Sequence, residues 1–508
     1  MKYGFVIDQT KCIGCHACTV ACKAEHEVPL GVFRTWVQYI EKGEFPNSRR
    51  YFSVMRCNQC EDAPCTTICP TTALFRRPDG IVDFDSERCI GCKSCMQACP
   101  YDALYIDPNT HTAAKCNFCA HRVDLGMKPA CEIVCPVNAI ISGDLEDPIS
   151  RISQLVGREE VSVRKPDQGT RPKLFYIGVE SINLRPGEAT SERGYMWADN
   201  PAPALTKQPS GLTTAVTARK AYDVSHITPW GWKVAAYLWT KSIGAGVPLI
   251  AAILLIFGFS GRSALLDWGA PLAGAIFTAI TAVLLIADLK RPDRFHYLIL
   301  KGNLDSWLVR GAYVLQLFGA LAGLWFLAGV FDIGGALPAL WWLTGLAAIG
   351  AAGYTAFLFG QCEGRDLWQS PLFLWHLLSQ AAICGAGVLA ALGFLGGAGR
   401  GTLTPPVVAL IVALAANAAL LAGELSGRHA NSDVGQAVHE IVAGRYARQF
   451  WLGTALLGLA LPFALALTYA LAGGASSVLA LFAGLFGLAG VLTFEDVWVK
   501  AGQVVPLS

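Results

Sequence analysis

The sequence predicts an α+β, cysteine-rich N-terminal domain joined to an all-α membrane bundle of eight transmembrane helices. Three observations predict it. All of the 18 cysteines except Cys362 and Cys384 fall between Cys12 and Cys135, in four groups of four. The C-terminal half carries eight apolar runs of about 20 residues, the length that crosses a bilayer. Between the two parts lies a stretch rich in Pro, Ser, Thr and Gly, the composition of an extended or flexible linker. Composition points the same way: 508 residues, 53% hydrophobic, with 52 glycines, are too apolar for an ordinary soluble chain. The expected organisation is a cysteine-rich domain over residues 1–149, a connector over 150–229 and a membrane domain over 230–508.

The cysteine groups are Cys12-Cys15-Cys18-Cys22, Cys57-Cys60-Cys65-Cys69, Cys89-Cys92-Cys95-Cys99 and Cys116-Cys119-Cys131-Cys135. The first and third have the two-two-three spacing of bacterial ferredoxins, and Pro70, Pro100 and Pro136 follow the last cysteine of three groups. That spacing wraps three thiolates around one cubane and sends the fourth to a neighbouring cluster. All sixteen cysteines are then metal ligands of four [4Fe–4S] clusters, with none spare. Zinc also takes four thiolates, but structural zinc sites usually build on separated cysteine pairs. Disulfides fit poorly, since reactive pairs this close scramble during oxidation.

The exchange rule predicts the quartets residue by residue. Cys57, Cys60 and Cys65 take Cys99, while Cys89, Cys92 and Cys95 take Cys69. In the outer groups Cys12, Cys15 and Cys18 take Cys135, while Cys116, Cys119 and Cys131 take Cys22. The first group has Lys23 where proline is usual, and the fourth carries an insertion between Cys119 and Cys131. His16, His26, His111 and His121 lie beside these cysteines and read as loop positions, since the quartets are full.

In the connector, Arg164 to Lys173 is basic and proline-punctuated, and LFYIGV (174–179) predicts a short strand packed on the cysteine-rich domain. Residues 201–217 form the linker proper. The eight spans are expected near 235–259, 268–288, 306–330, 338–360, 371–395, 405–424, 450–472 and 475–495. Gly319, Gly323, Gly345, Gly350 and Gly353 are the small residues expected to let helices approach in lipid.

With eight spans, both chain ends lie on one side. Twelve lysines and arginines from Lys233 to Lys500, Lys241 included, fall on that side, against Arg262 and Arg400 on the other. The positive-inside rule then places the cysteine-rich domain in the cytoplasm, on the inner membrane. The start, MKYGFVIDQT, shows no export signal. The same side gathers Tyr237, Lys241, Asp288, Tyr354, Gln361, His376 and Glu424 near span ends. Ionisable groups at membrane depth are costly and mark functional sites. A quinone needs hydrogen-bond donors at its carbonyls and a proton route, which Tyr, His, Lys and carboxylates supply. For single residues the plainer readings are that Lys241 snorkels to the interface and that Asp288 pairs with Arg291.

Residues 1–150 resemble the four-cluster ferredoxin-like subunits of molybdopterin oxidoreductases such as dimethyl sulfoxide and polysulfide reductases. The match is carried by QTKCIGCHACTVACKAEH, RCNQCEDAPCTTICP, ERCIGCKSCMQACPYDA and KCNFCAHRVDLGMKPACEIVCP. Residues 230–508 resemble the NrfD-like, polysulfide-reductase-type membrane anchor through LLIADLKRPDRF, Ser306, Gly311 and the terminal WVKAGQ. The resemblance implies a tandem ferredoxin-like iron–sulfur domain (two units of two [4Fe–4S]), a large catalytic molybdenum or tungsten pterin subunit as partner, and a quinone site in the bundle. Tyr237 and Val234 fall near the positions where the family's first-span quinone residues lie. The expected function is a non-catalytic redox subunit that anchors the complex and passes electrons between the catalytic subunit and the quinone pool, with a sulfur compound as one substrate class.

Two other classes stay open. One is an energy-conserving, proton-translocating quinone oxidoreductase, which buried acids in mid-span would mark; the acids of this sequence fall at span ends. The other is a stand-alone ferredoxin:quinone reductase without a pterin partner. A net charge of +2 gives no reason to expect nucleic acid.

Overall fold

The structure is a computed structural model and describes residues 1–43, 46–185, 189–191, 218–474 and 476–508. The 201–217 linker lies outside the described residues. The chain divides into two compact units. The first takes in Met1–Pro229, Cys362–Arg365 and Pro506–Ser508; the second takes in Trp230–Gln361 and Asp366–Val505.

Among its described residues the first unit holds twelve strands in chain order: β1 (Tyr3–Asp8), β2 (Thr35–Lys42), β3 (Arg49–Arg56), β4 (Leu74–Arg76), β5 (Val82–Phe84), β6 (Leu104–Ile106), β7 (Ala113–Lys115), β8 (Ile140–Asp144), β9 (Val161–Ser162), β10 (Leu174–Ile177), β11 (Thr190–Ser191) and β12 (Ala218–Tyr222). Its short helices include α1 (Ala17–Glu25), α2 (Pro64–Thr67), α3 (Ser94–Ala98), α4 (Ala120–Val123) and α5 (Ala130–Ile133). One sheet has the order β8-β1-β10-β9 and a second the order β11-β12-β2-β3, while β4-β5 and β6-β7 are hairpins. Phe5, Val6 and Ile7 of β1 are fully buried, which fits a strand in the middle of its sheet.

The stretch read from sequence as a connector contributes strands to both sheets. β10 pairs in parallel with β1, Phe5 opposite Leu174. Of LFYIGV, only Leu174–Ile177 is strand, because Gly178 turns to φ +63° and ends it. β12 pairs antiparallel with β2, Arg219 opposite Glu41, and Arg219 Nη2 meets a Glu41 oxygen at 2.7 Å. Composition marks this stretch as loop-like; cross-strand pairing to distant residues is what orders it.

The second unit is a bundle of eight helices long and apolar enough to cross a membrane: Trp232–Ile256, Leu265–Asp288, Trp307–Val330, Leu337–Gly360, Phe373–Leu395, Arg400–Ser426, Gln449–Leu471 and Ser477–Ala501. The first and fifth are central, 78% and 67% buried over their most apolar windows, against 22% for the second and third. Close approach between helices depends on glycine. A Cβ on Gly246 would overlap the Ala381 carbonyl, and one on Gly385 would overlap the Gly246 backbone, which brings the first and fifth spans together. Gly387 and Gly484 do the same for the fifth and eighth. Of the glycines singled out from sequence, Gly353 sits tightly against Leu374, whereas Gly323 meets nothing within 4 Å.

The eighth span differs most from expectation. The sequence places its end at 495, where Glu495 and Asp496 interrupt the apolar run. The helix continues to Ala501, so Glu495 lies inside the span and is fully buried.

Candidate functional site

The cysteine loops owe their shape to left-handed backbone positions. Gly14 (φ +70°) and His16 (φ +59°) alternate with the first cysteines, and Gly91 (φ +67°) and Lys93 (φ +65°) do so in the third group. Such alternation curls the chain so that successive N–H groups face inward, a concavity that suits an anionic group. Some of those N–H groups already reach sulfur. Leu74 donates to Cys69 Sγ at 3.4 Å, Ala113 to Cys89 Sγ at 3.3 Å and Ala139 to Cys135 Sγ at 3.2 Å.

Cys69 joins Cys89, Cys92 and Cys95 around one partly open cavity. Cys135 joins Cys12, Cys15 and Cys18 around another. Cys65 lies in the field of Cys99, Cys57 and Cys60, and Cys22 in that of Cys116, Cys131 and Cys119. The first two sets are each four thiols around shared space, the donor set that a four-iron cluster takes. Among the described residues, no three His, Cys, Asp or Glu side chains converge closely enough to hold a single metal ion.

Burial pushes the Cys18 thiol up to about 11 and the Cys92 and Cys119 thiols up to about 12. A free thiolate is therefore disfavoured at these positions, and a bound metal that displaces the proton is what makes them anionic. Exposure is uneven: Cys15 is exposed and Cys12 and Cys135 are half-buried, whereas all four of Cys57, Cys60, Cys65 and Cys99 are buried.

Several polar groups around these thiols were not legible in the sequence. Arg56, at the end of β3, is fully buried, with Nη1 donating to Cys131 Sγ at 3.0 Å. Lys115, also fully buried, donates to the carbonyls of Val82 and of Cys116, the latter at 3.0 Å. Of the histidines near cysteines, His26 Nε2 stands 3.2 Å from Cys119 Sγ, His121 Nε2 meets Glu25 Oε1 at 2.7 Å, and His16 packs on Tyr39 and Tyr222.

In the bundle the seven residues named from sequence separate into distinct settings. Lys241 does not snorkel. It lies nine residues past Trp232, roughly 14 Å along the helix at about 1.5 Å per residue, and is 1% exposed. Its Nζ donates to the Ala352 carbonyl (2.7 Å) and to Thr355 Oγ1 (2.6 Å), and sits 5.4 Å from the centre of the Tyr354 ring. Gly311 makes room for that ring, since a Cβ there would overlap it. Tyr237 is buried on the first span.

His376 is fully buried on the fifth span, stacked on Phe494, with Nε2 3.9 Å from Glu424 Oε2. Glu424 accepts from Ser370 Oγ at 2.6 Å. Gln361 has a structural role, because its amide bridges the Asp305 carbonyl (2.7 Å) and the Trp307 N–H (2.8 Å), which fixes the start of the third span. Asp288 closes the second span half-buried, while Arg291 forks onto Asp293 (2.9 and 3.0 Å).

Two residues not singled out from sequence join this interior. Both carboxylate oxygens of Glu495, and both amide atoms of Gln380, are buried without a hydrogen-bond partner among the described residues. Glu495 lies within the electrostatic field of Lys241 and of Cys384. Unpartnered buried polar groups in native proteins are sites of internal water, protons or ligand.

The chain belongs to the polysulphide reductase NrfD family, whose profile matches residues 222–506. A 4Fe-4S dicluster domain matches residues 49–145 and a 4Fe-4S binding domain residues 3–24. The N-terminal part is 44% identical over 191 residues to the B-subunit of tetrathionate reductase from Salmonella typhimurium, covering 36% of this chain and 76% of that protein. It is 42% identical over 190 residues to the B-chain of polysulfide reductase from Wolinella succinogenes, covering 35% of this chain and 98% of that protein. It is 45% identical over 163 residues to the thiosulfate reductase electron transfer subunit PhsB of Salmonella typhi, covering 32% and 84%. The chain is thus an iron–sulfur electron-transfer module fused to an NrfD-type multi-pass membrane anchor. The relatives of its N-terminal part are named as subunits of tetrathionate and polysulfide reductases.

Proposed function

We propose that the chain carries four [4Fe–4S] clusters and links a catalytic molybdenum or tungsten pterin subunit to the membrane quinone pool. The observation that carries this reading is sixteen clustered cysteines, two sets of which line four-cysteine cavities, in one chain with eight apolar spans among the described residues. The sixteen cysteines are the ligands, grouped as Cys12/15/18/135, Cys22/116/119/131, Cys57/60/65/99 and Cys69/89/92/95. When bound, the clusters supply one-electron carriers. The protein holds them in concave loops, buries most of their ligands and directs N–H groups at the sulfurs.

In the bundle, Lys241, Tyr354 and His376 are the donors for a quinone headgroup, with Tyr237 on the same first span as Lys241. Glu424 and Asp288 belong to the proton route at the same end of the helices. The first unit is placed on the cytoplasmic side of the inner membrane, supported by the charge asymmetry of the loops. The names of the relatives support an inorganic sulfur compound as the substrate of the catalytic partner.

The test is gentle purification from the native membrane with assay of iron, molybdenum and tungsten. About sixteen irons from this chain and a large pterin-bearing partner are expected, with clusters oxidised or reduced on addition of a quinone or quinol. A full iron complement without such a partner would leave the stand-alone quinone reductase.

Glu495 favours a second reading, an energy-conserving proton-translocating complex, because it is a fully buried acid inside a span. In sealed liposomes, turnover would then move protons across the membrane, and Glu495→Gln would stop that movement while leaving cluster content unchanged. Turnover without proton movement would remove this reading.

A further inference from the structure

Arg56 is placed where a cation needs a reason. It is 0% exposed, and it stands at the end of β3 opposite Thr35 of β2. Its guanidinium lies 4.6 Å from the centre of the Phe5 ring, and Nη1 donates to Cys131 Sγ at 3.0 Å. Nε and Nη2 have no hydrogen-bond partner among the described residues. Its electrostatic neighbours are the sulfurs of Cys131, Cys116 and Cys18. Cys131 and Cys116 belong to one proposed quartet, and Cys18 to another.

The nearby acids are engaged elsewhere. Glu132, next to Cys131, is held by Lys128 at 2.6 Å, and Glu25 is held by Arg122 at 2.9 Å and His121 at 2.7 Å. Lys115, the other fully buried cation among the cysteines, is bound to backbone carbonyls and bears on Cys65 of a third quartet. Burying a guanidinium without a carboxylate is costly unless another negative charge compensates it. A four-iron cluster on four thiolates has a net negative charge, and that charge grows by one when the cluster takes up an electron.

We propose that Arg56 sets the potentials of the two quartets it lies between. It raises that of Cys22/116/119/131 most, through its charge and its bond to Cys131 Sγ, and that of Cys12/15/18/135 less, through charge alone. The inference rests on the four-cluster reading above. A fixed positive charge favours the reduced form over the oxidised one, and hydrogen bonds to cluster sulfur act in the same direction. The guanidinium keeps its proton throughout, so each step is the gain or loss of one electron at a cluster, with no proton to balance. Electrons then rest preferentially on this half of the first unit. Arg56 is a positioning and tuning residue, since it bonds a ligand sulfur and takes no electron itself.

The experiment is a redox titration of the purified full chain, followed by low-temperature electron paramagnetic resonance, for wild type, Arg56→Gln and Arg56→Lys. The cluster on Cys131 is identified by the signal altered in Cys131→Ser. In Arg56→Gln, its ratio of reduced to oxidised form at a fixed potential falls at least tenfold, about 59 mV for a one-electron couple. The Cys12/15/18/135 cluster shifts the same way by less, and the other two stay in place. Arg56→Lys restores most of the shift at Cys12/15/18/135 and less of it at the Cys131 cluster, because it keeps the charge but loses the single Nη1 bond to Cys131 Sγ.

Unchanged potentials with iron retained would overturn the proposal, as would an equal shift of all four clusters. If Arg56→Gln loses iron, the lysine variant decides: a lower midpoint at the Cys131 cluster alone supports the proposal, and unchanged midpoints refute it. Wild-type protein with fewer than four reducible clusters would refute the four-cluster reading instead, whatever the variants do.

Discussion

Lys241 and Thr355 join the first and fourth membrane spans through a 2.6 Å hydrogen bond between fully buried groups. An amino group at that depth, with two neutral acceptors and the face of Tyr354 beside it, is a donor without a bonded counter-ion. We predict that Lys241→Met lowers quinone-linked oxidation of the clusters at least tenfold, about 1.4 kcal/mol of transition-state stabilisation. Chemical reduction of the clusters and iron content stay at the wild-type level. Stopped-flow spectroscopy at the cluster absorbance, with and without a quinone, measures both. Unimpaired quinone oxidation would take Lys241 out of the site.

The quartets make a prediction that exchanges ligands between groups distant in sequence. Cys22→Ser and Cys116→Ser, far apart in the chain, should perturb the same cluster, since Cys22 lies in the field of Cys116. Cys22→Ser and Cys18→Ser, neighbours on α1, should perturb different ones. Iron analysis should show a loss of up to about a quarter in each variant, and paramagnetic resonance should show which signal has changed. Loss of one signal in both Cys18→Ser and Cys22→Ser would rule out the exchanged pairing.

The cysteines could be read from sequence because ligation fixes both residue type and close spacing, so the chemistry is local. The eight spans were legible for a similar reason, since a bilayer demands an uninterrupted apolar run. Arg56, Gln380 and Glu495 were not. Their significance comes from burial against residues on other elements, and a single charged residue within an apolar run reads as the end of a span. Lys241 was singled out from sequence, but its depth was not legible, because that depends on where the helix begins and its partners lie more than a hundred residues away. In the connector the strand at 174–177 was legible from its apolar run, whereas β9 and β12 were not, because they are short and β12 pairs with β2, much earlier in the chain.

Helix contact through glycine sets a stability prediction. A Cβ on Gly385 would overlap the Gly246 backbone, so Gly385→Leu has to separate the two central spans. Overpacking of this kind costs about 1–3 kcal/mol, and a lower detergent-phase unfolding temperature than wild type is expected. Gly323→Leu, at a position with nothing within 4 Å, is expected to be nearly neutral. Equal effects of the two substitutions would show that close helix approach is not what Gly385 provides.

The last prediction concerns pH and the return of the chain after β12. His226 Nδ1 lies 2.5 Å from Asp102 Oδ2, just past the third cysteine group, and Nε2 lies 3.4 Å from Asp223 Oδ1. Burial alone would lower the His226 pKa, but the hydrogen bonds and charges of Asp102 and Asp223 outweigh it and raise the value to about 9. Burial likewise works against the charged form of Asp223, yet His226, Lys220 and Gln38 bring its pKa down to about 2. A raised histidine contributes stability that is complete below its unfolded value of 6.5 and is lost as pH rises through about 9. The lowered aspartate contributes stability that is complete above 3.8 and is lost as pH falls through about 2. The segment 218–229 is therefore held most firmly from about pH 4 to 6.5, and loosens first on the alkaline side, where the histidine contribution of about 3 kcal/mol is lost. Limited proteolysis of this segment should accelerate between pH 7 and about 9.5. His226→Gln should flatten that rise and start from a faster rate at pH 6. A wild-type rate that does not change over this range would show that the histidine does not hold the segment.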